Sequence, residues 1–249
     1  MIRLLPLLFL AAAVCRGGPV LDQLQADFAR IRTVTCEVER VTEGKQGQLK
    51  LLSRVFYQEG GRLHVENFKP GRRRIVMDGT TLYLKDEAFT QGFSGPIQTL
   101  RGQDFWRDQI ERIPGTASDH ARRAIAQQLA EVPLPATEGI ARRTGFQAEK
   151  TYLVLGQDER GRILRVEYFK DATLAALTAR FDYSDFKEFP DGVAIAQTHR
   201  GEVHAGADVI RETTRFLNLE ANQPVPAGMF DPKLYFKGVE FADDFGKMK

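Results

Sequence analysis

Apolar and polar residues alternate along residues 62–86, and this alternation predicts the centre of a β-sheet. Leu82 and Leu84 point to one face of a strand, whereas Tyr83 and Lys85 point to the other. Three short strands are predicted here, over residues 62–67, 72–78 and 80–85. We expect Asp78-Gly79 to join the last two in a type I′ turn, because glycine tolerates the positive φ angle that this turn requires.

A helical pattern precedes this sheet. Over residues 20–32, apolar residues recur at spacings of three, four and three and form one stripe: Leu21, Leu24, Phe28 and Ile31. The period-two alternation returns over residues 33–42 and places four side chains on one face: Val34, Cys36, Val38 and Arg40. The pattern therefore predicts an amphipathic helix followed by an antiparallel meander.

The residue pattern in the middle of the chain predicts helices that form a lid over the sheet. Residues 88–100 are typical of a loop, and helices are predicted over residues 104–113 and 121–131. Strands separated by short turns return from residue 146 onwards, and short turns favour antiparallel pairing. We therefore expect a mainly β fold of the α+β type, with about 9–11 antiparallel strands and helices that cover one face of the sheet.

Length and charge narrow the class of protein. The 249 residues fit a single domain over residues 19–249, preceded by an export signal over residues 1–18 with Arg3 as its charged start. A net charge of +2 argues against a nucleic-acid partner, which would need a clear basic excess. We expect a protein exported to the periplasm. Lipid attachment at Cys15 is the alternative, and it would anchor the chain to a membrane.

No pattern of catalytic or metal-ligating residues stands out, so we expect no enzymatic activity, no cofactor and no metal. His199 and His204 are expected to be solvated or at a hairpin end. Cys36 lies among β-forming residues, which is more typical of a small core residue than of a nucleophile. The arginine run at residues 72–74 is either a solvated strand start or a cationic rim that docks an anionic head group or phospholipid surface.

The chain resembles the LolA-like periplasmic lipoprotein carriers, the outer-membrane lipoprotein-sorting proteins. The resemblance lies in an amphipathic helix after an export signal, a meander, and the hairpin Val76-Met77-Asp78-Gly79 followed by Thr81-Leu82-Tyr83-Leu84. The chain end is also similar, with Pro224-Val225-Pro226 leading to Met229-Phe230. The resemblance covers about residues 20–87 well and the C-terminal 30 residues loosely. The chain has Glu59-Gly60 where carriers commonly have Arg-Pro before the third strand.

This resemblance implies an incomplete β-barrel whose concave face, covered by helices, holds acyl chains. By position, it implies eight residues that line the acyl cavity: Val55, Tyr57, Leu63, Val65, Ile75, Met77, Leu82 and Leu84. It also implies a lid helix that contributes Leu24, Phe28 and Ile31.

Two functions from different classes follow. The first is a periplasmic carrier or binding protein for lipid-modified proteins or lipids, which buries their acyl chains and supports outer-membrane lipoprotein sorting. The resemblance implies an inner-membrane releasing complex and an outer-membrane acceptor as its partners. The alternative is an envelope sensor or regulatory module on the same fold, which signals through a protein partner.

Overall fold

The computed structural model describes residues 18–99, 121, 124, 125 and 127–242. The first part contains one helix and six strands: α1 Pro19–Ala29, β1 Thr33–Gly44, β2 Gly47–Gln58, β3 Arg62–Lys69, β4 Arg73–Asp78, β5 Thr81–Asp86 and β6 Gly92–Pro96. The second part contains eight strands and a short helix: β7 Val132–Leu134, β8 Arg142–Ala148, β9 Thr151–Gln157, β10 Ile163–Phe169, β11 Leu177–Glu188, β12 Ala194–Ala205, β13 Asp208–Ala221, α2 Pro232–Tyr235 and β14 Phe241–Ala242.

All fourteen of these strands belong to one sheet, in the order β14-β6-β5-β4-β3-β2-β1-β13-β12-β11-β10-β9-β8-β7. The sheet is curved and does not close into a barrel, because β14 and β7 remain at its two ends. The pairings are antiparallel except for β14 with β6. Pairing of β1 with β13, for example Val38 opposite Phe216, joins the two parts of the chain at the centre of the sheet.

Helix α1 lies against one face of this sheet, which we call the inner face. Its apolar stripe buries Val20, Leu21 and Leu24. Glu131 accepts a hydrogen bond from the backbone N–H of Leu21 at 2.9 Å, which satisfies a free amide of the first turn and places a carboxylate at the positive end of the helix. The helix therefore has a fixed position over the inner face.

The inner face carries two hydrophobic clusters. The first cluster, which we call the β1–β6 core, includes residues from β1 to β6 together with Ile31, Phe189, Val193 and Ile195. The second packs α1 against β8 to β10, with Phe146, Leu155 and Val166 among its fully buried side chains. Burial of these apolar side chains on one face supplies the main driving force for folding.

The opposite, outer face is charged and partly covered by the chain end. Cross-strand neighbours on β1 to β4 alternate in charge: Glu37, Arg54, Glu66 and Arg74. Residues 229–242 cross the outer face near β3 to β6. Phe241 packs edge-on against Tyr83 at 5.5 Å between ring centroids, and Glu240 O accepts a hydrogen bond from the Gly92 backbone at 2.9 Å.

The predicted fold class is confirmed, and the predicted number of strands was too low. The additional strands are short: β6 lies in a stretch predicted as a loop, β7 follows the second predicted lid helix, and β14 is at the chain end. These strands form by pairing with neighbours in the sheet and have weak local signals of their own.

Helix boundaries and one turn also differ from prediction. Helix α1 ends at Ala29 and not at residue 32. Residues 121, 124 and 125 are helical, residues 127–131 are not, and the helix predicted over residues 104–113 lies outside the described residues. The loop between β4 and β5 consists of Gly79 and Thr80, and a type I′ turn requires a positive φ at both. Gly79 has φ 105° as expected, but Thr80 has no positive φ, so the turn is not type I′. The Asp78 carboxylate instead accepts the amides of Thr80 and Thr81, both at 2.8 Å.

Candidate functional site

A cavity of about 610 Å³ lies on the inner face, between α1 and strands β10 to β13. The end of α1 and the residues that follow it form one wall, through Leu24 and Phe28 of the helix and Ile31 beyond it. The turn between β9 and β10 and the hairpin between β11 and β12 close in from the side, through Gly161 and Gly192. The volume falls within the range of about 300–1,000 Å³ that is usual for small-molecule sites.

Apolar side chains, many of them aromatic, make up much of the wall. The sheet and the turn between β11 and β12 contribute Ile163, Phe181, Tyr183, Phe186, Phe189, Val193, Ile195 and Phe216. Gly201 leaves room for the Phe181 ring, because a Cβ atom at this position would lie 3.0 Å from that ring. The apolar part of the wall therefore extends over β11 to β13.

A row of polar side chains crosses the same cavity. Arg40, Thr214, His199 and Tyr183 are consecutive cross-strand neighbours on β1, β13, β12 and β11. The Arg40 Nε atom donates to Thr214 Oγ1 at 3.0 Å and lies 3.2 Å from Glu212 Oε1. The cavity thus has an apolar region with a hydrogen-bonding row at its side.

Ion pairs surround the part of the cavity near the β9–β10 turn. The Arg162 guanidinium lies 4.6 Å from the centroid of the Phe186 ring, and its Nη1 atom lies 3.5 Å from Glu188 Oε1. Arg160 also pairs with Glu188, and Arg162 Nε lies 2.6 Å from Asp158 Oδ2. Hydrogen bonds from Arg162 and backbone amides outweigh partial burial and hold the pKa of Asp158 below its usual value, so this carboxylate stays charged.

The three lid residues predicted from the sequence, Leu24, Phe28 and Ile31, line this cavity. The eight predicted lining residues lie elsewhere on the inner face: Val55, Tyr57, Leu63, Val65, Ile75, Met77, Leu82 and Leu84. They are at most 9% exposed and pack within the β1–β6 core. None of the eight lines the cavity beside α1, and their contact with a ligand stays a prediction.

The structure adds residues that sequence reasoning did not assign to the site. His199 was expected to be solvated or at a hairpin end, and this was wrong. It is half-buried in the cavity, with ring centroids 4.6 Å from Tyr183 and 4.8 Å from Phe216. The sequence did indicate that Arg40 faces inwards, because the alternation of β1 places it on the same face as Val38.

Two other candidate sites from the sequence have structural partners. Cys36 is buried in the β1–β6 core, and burial raises the pKa of its thiol to about 12, which makes it unreactive at neutral pH. Arg73 pairs with Asp86 at 2.8 Å, and Arg74 pairs with Glu66 and lies 5.1 Å from the centre of the Tyr235 ring. Two of the three arginines at residues 72–74, Arg73 and Arg74, therefore form ion pairs within the chain.

The described residues give no sign of a metal site or a membrane span. Within them, no three His, Cys, Asp or Glu side chains come together in a way that could hold a metal ion. No helix in the described part of the chain combines the length and apolar character that crossing a membrane takes.

Comparison with known proteins relates the chain to others by structure and not by sequence. No family model matches the sequence, and no curated protein is similar to it. The chain is similar to a candidate outer membrane lipoprotein-sorting protein domain from Vibrio parahaemolyticus, with 14% identity, 86% of this chain and 97% of that chain covered, and a TM-score of 0.53. It is also similar to a DUF1329 family protein from Desulfovibrio piger, with 9% identity, 86% and 95% covered, and a TM-score of 0.55.

These two likenesses establish the fold. The chain has the same open, curved sheet as these two structures, one of which is described as a lipoprotein-sorting domain, and the resemblance noted in the sequence is confirmed at the level of the fold. Because fold alone does not define activity, the function has to be argued from the cavity.

Proposed function

We propose that this protein is a periplasmic carrier that binds acyl chains of lipids or lipid-modified proteins in the cavity between α1 and β10 to β13. The observation that carries the proposal is the cavity of about 610 Å³ with its aromatic and aliphatic wall. Each CH₂ group transferred from water into such a wall contributes about 0.8 kcal/mol. Burial of a long chain therefore suffices for binding, without covalent chemistry.

One prediction from the sequence and one structural comparison support the cellular setting. The predicted export signal over residues 1–18 would direct the chain out of the cytoplasm. A structure with the same fold, from Vibrio parahaemolyticus, is described as a lipoprotein-sorting domain. A role in outer-membrane lipoprotein sorting agrees with both, and release of the cargo would require movement of α1 or of the neighbouring turns.

The proposal is tested by displacement of a fluorescent fatty acyl probe from the purified protein. Phe186 is half-buried in the cavity wall, so Phe186→Glu should weaken probe binding about tenfold or more. Leu217 follows Phe216 on β13 with its side chain on the outer face and 46% exposed, and Leu217→Glu is the matched control. Absence of probe binding by the unmodified protein, or equal affinity in both variants, would contradict the proposal.

Two alternatives remain predictions and have separate tests. A sensor or regulatory module would form a stable complex with a protein partner and would bind acyl probes weakly and without selectivity. Lipid attachment at Cys15 would make the protein a membrane-anchored acceptor, and the mass of the mature N-terminus distinguishes this from a free carrier.

A further inference from the structure

The polar row in the cavity is unexpected for a site that binds only hydrocarbon. The inner-face positions of the β1–β6 core are predominantly apolar, whereas Arg40 places a charged group on the same face of β1. The Arg40 side chain is 14% exposed. Because a charge removed from water is stable only with a partner, the row requires an anion at this position.

In the structure Glu212 supplies an anion beside Arg40. Its Oε1 atom lies 3.2 Å from Arg40 Nε and accepts a hydrogen bond from Thr214 Oγ1 at 3.3 Å. Its Oε2 atom accepts a hydrogen bond from the Thr42 hydroxyl at 3.3 Å. The hydroxyl of Thr214, which is 2% exposed, accepts from Arg40 and donates to Glu212, so it fixes the two charged groups relative to each other.

The two partners differ in how easily each can leave. The Arg40 side chain is largely enclosed, whereas the Glu212 side chain is 41% exposed. The Glu212 carboxylate can therefore turn towards water and regain its hydration, provided that another anion takes its place beside the enclosed Arg40 guanidinium. Arg40 cannot follow it without leaving its bond to Thr214. An incoming anion could take the place of Glu212 while Arg40 stays paired.

We propose that the cargo of the cavity is an anionic amphiphile whose carboxylate or phosphate head group replaces Glu212 at Arg40. This inference rests on the proposed function, since it assigns the head group of the same ligand. The hydrocarbon chain then runs from the polar row past Phe216 and Ile195 and beneath Phe28 of α1. His199 and Tyr183 lie beside the head group in the same row.

The test compares lauric acid, lauryl phosphate and lauryl alcohol as competitors of the acyl probe. The unmodified protein should bind at least one of the two anions about tenfold more tightly than the alcohol. Preference for either anion supports the proposal and identifies the head group. Equal affinity for the alcohol and both anions would overturn it. If none of the three binds, the proposed function itself fails, and this inference fails with it.

Two variants give effects of opposite sign. Arg40→Met should lower affinity for the preferred anion to that for the alcohol. Glu212→Gln should raise affinity for the anion several-fold, because it removes the negative charge that competes for Arg40. A purely structural role of the pair predicts instead that Glu212→Gln weakens binding of all three competitors, and that result would overturn the proposal even if Arg40→Met did not fold.

The chain offers a matched control for these variants. Arg54 and Glu37 also pair across neighbouring strands at 3.2 Å, but they lie on the outer face and are 46% and 44% exposed. Arg54→Met should leave all three affinities unchanged. An equal loss of anion binding in Arg54→Met would show a general effect of charge and would overturn the assignment to Arg40.

Discussion

Arg40 Nε lies 3.2 Å from Glu212 Oε1, on the same face of the sheet as the apolar side chains of the β1–β6 core. The pair marks the place where the cavity changes from a hydrocarbon-lined space to a hydrogen-bonding one. The same cavity is covered by the apolar stripe of α1, so one helix and five strands, β1 and β10 to β13, together enclose an apolar space with a hydrogen-bonding side.

The eight core residues on β2 to β5 that the sequence predicted to line an acyl cavity should contribute stability and not binding. Leu84 is 1% exposed and does not line the cavity, so Leu84→Ala should lower the free energy of unfolding by about 2–5 kcal/mol. Urea denaturation measures this loss, and probe affinity at low urea should stay unchanged. A large loss of affinity in a variant that is still folded would favour the lining predicted from the sequence.

The C-terminal segment should depend on the absence of a side chain at residue 92. A Cβ atom on Gly92 would lie 2.6 Å from Phe241 Cε1 and 2.9 Å from Val239 Cγ1. Gly92→Ala should therefore cost about 1–3 kcal/mol and make residues 229–242 more accessible to proteolysis. Gly44→Ala is the control, because its Cβ would meet nothing closer than Ile210 at 3.9 Å. Equal cleavage of both variants would contradict the prediction.

Stability should fall in mild acid because of His64. This side chain is 1% exposed, its Nδ1 atom lies 3.0 Å from Met229 O, and Tyr235 packs on its ring at 4.3 Å between centroids. Burial lowers the pKa of His64 from 6.5 to about 4, although Glu66 at 3.6 Å opposes this shift and Arg74 adds to it. Below pH 6.5 the imidazole of His64 therefore binds a proton in the unfolded chain, whereas in the folded chain it stays neutral until the pH approaches 4.

The sign and size of this effect follow directly. The contribution of neutral His64 to the free energy of unfolding is fully present above pH 6.5. It is lost as the pH falls towards about 4, which lowers the free energy of unfolding by up to about 3 kcal/mol. Urea denaturation of the unmodified protein and of His64→Phe between these pH values measures the difference. The variant should have a flatter dependence on pH, and parallel curves for the two proteins would contradict the assignment to His64.

A three-residue ion network on the outer face should matter more than an exposed pair. Glu167 is 9% exposed in its side chain and lies 3.4 Å from Arg143 Nη2 and 3.0 Å from Arg180 Nη2. Because Arg143 is only 13% exposed, Glu167→Gln leaves a largely buried cation without its anion, at a cost of about 3–5 kcal/mol. Glu37→Gln, at the exposed pair with Arg54, should cost at most about 1 kcal/mol. Thermal unfolding of the two variants side by side gives the comparison.

The sequence could predict which faces of the elements are buried, because side-chain direction follows period two in strands and the helical repeat in α1. Leu63, Ile75 and Leu84 were expected to share a buried face, and they do. The stripe of Leu24, Phe28 and Ile31 was likewise expected to face the sheet, and all three side chains reach the cavity. Local periodicity carries this information without knowledge of the neighbours.

The position of the cavity could not be predicted, because it depends on pairings between distant residues. Arg40 and Thr214 become neighbours only through the register of β1 with β13. The buried faces of β3 to β5 are filled by other side chains, including Phe93 and Val193, whereas the face of β11 to β13 is left open beside α1. Alternation gives the same pattern for a filled core and for an open cavity, so only the packing distinguishes them.

Photo-crosslinking tests the central claim most directly, namely that an acyl chain lies between α1 and β10 to β13. Lauric acid with a diazirine near the end of its chain is bound to the protein, irradiated, and located by peptide mass spectrometry. We predict crosslinks in α1 and in β11 to β13, around Phe28, Phe186 and Phe216, that unlabelled lauric acid prevents. Crosslinks confined to β3 to β5, or crosslinks that unlabelled lauric acid does not reduce, would contradict the account.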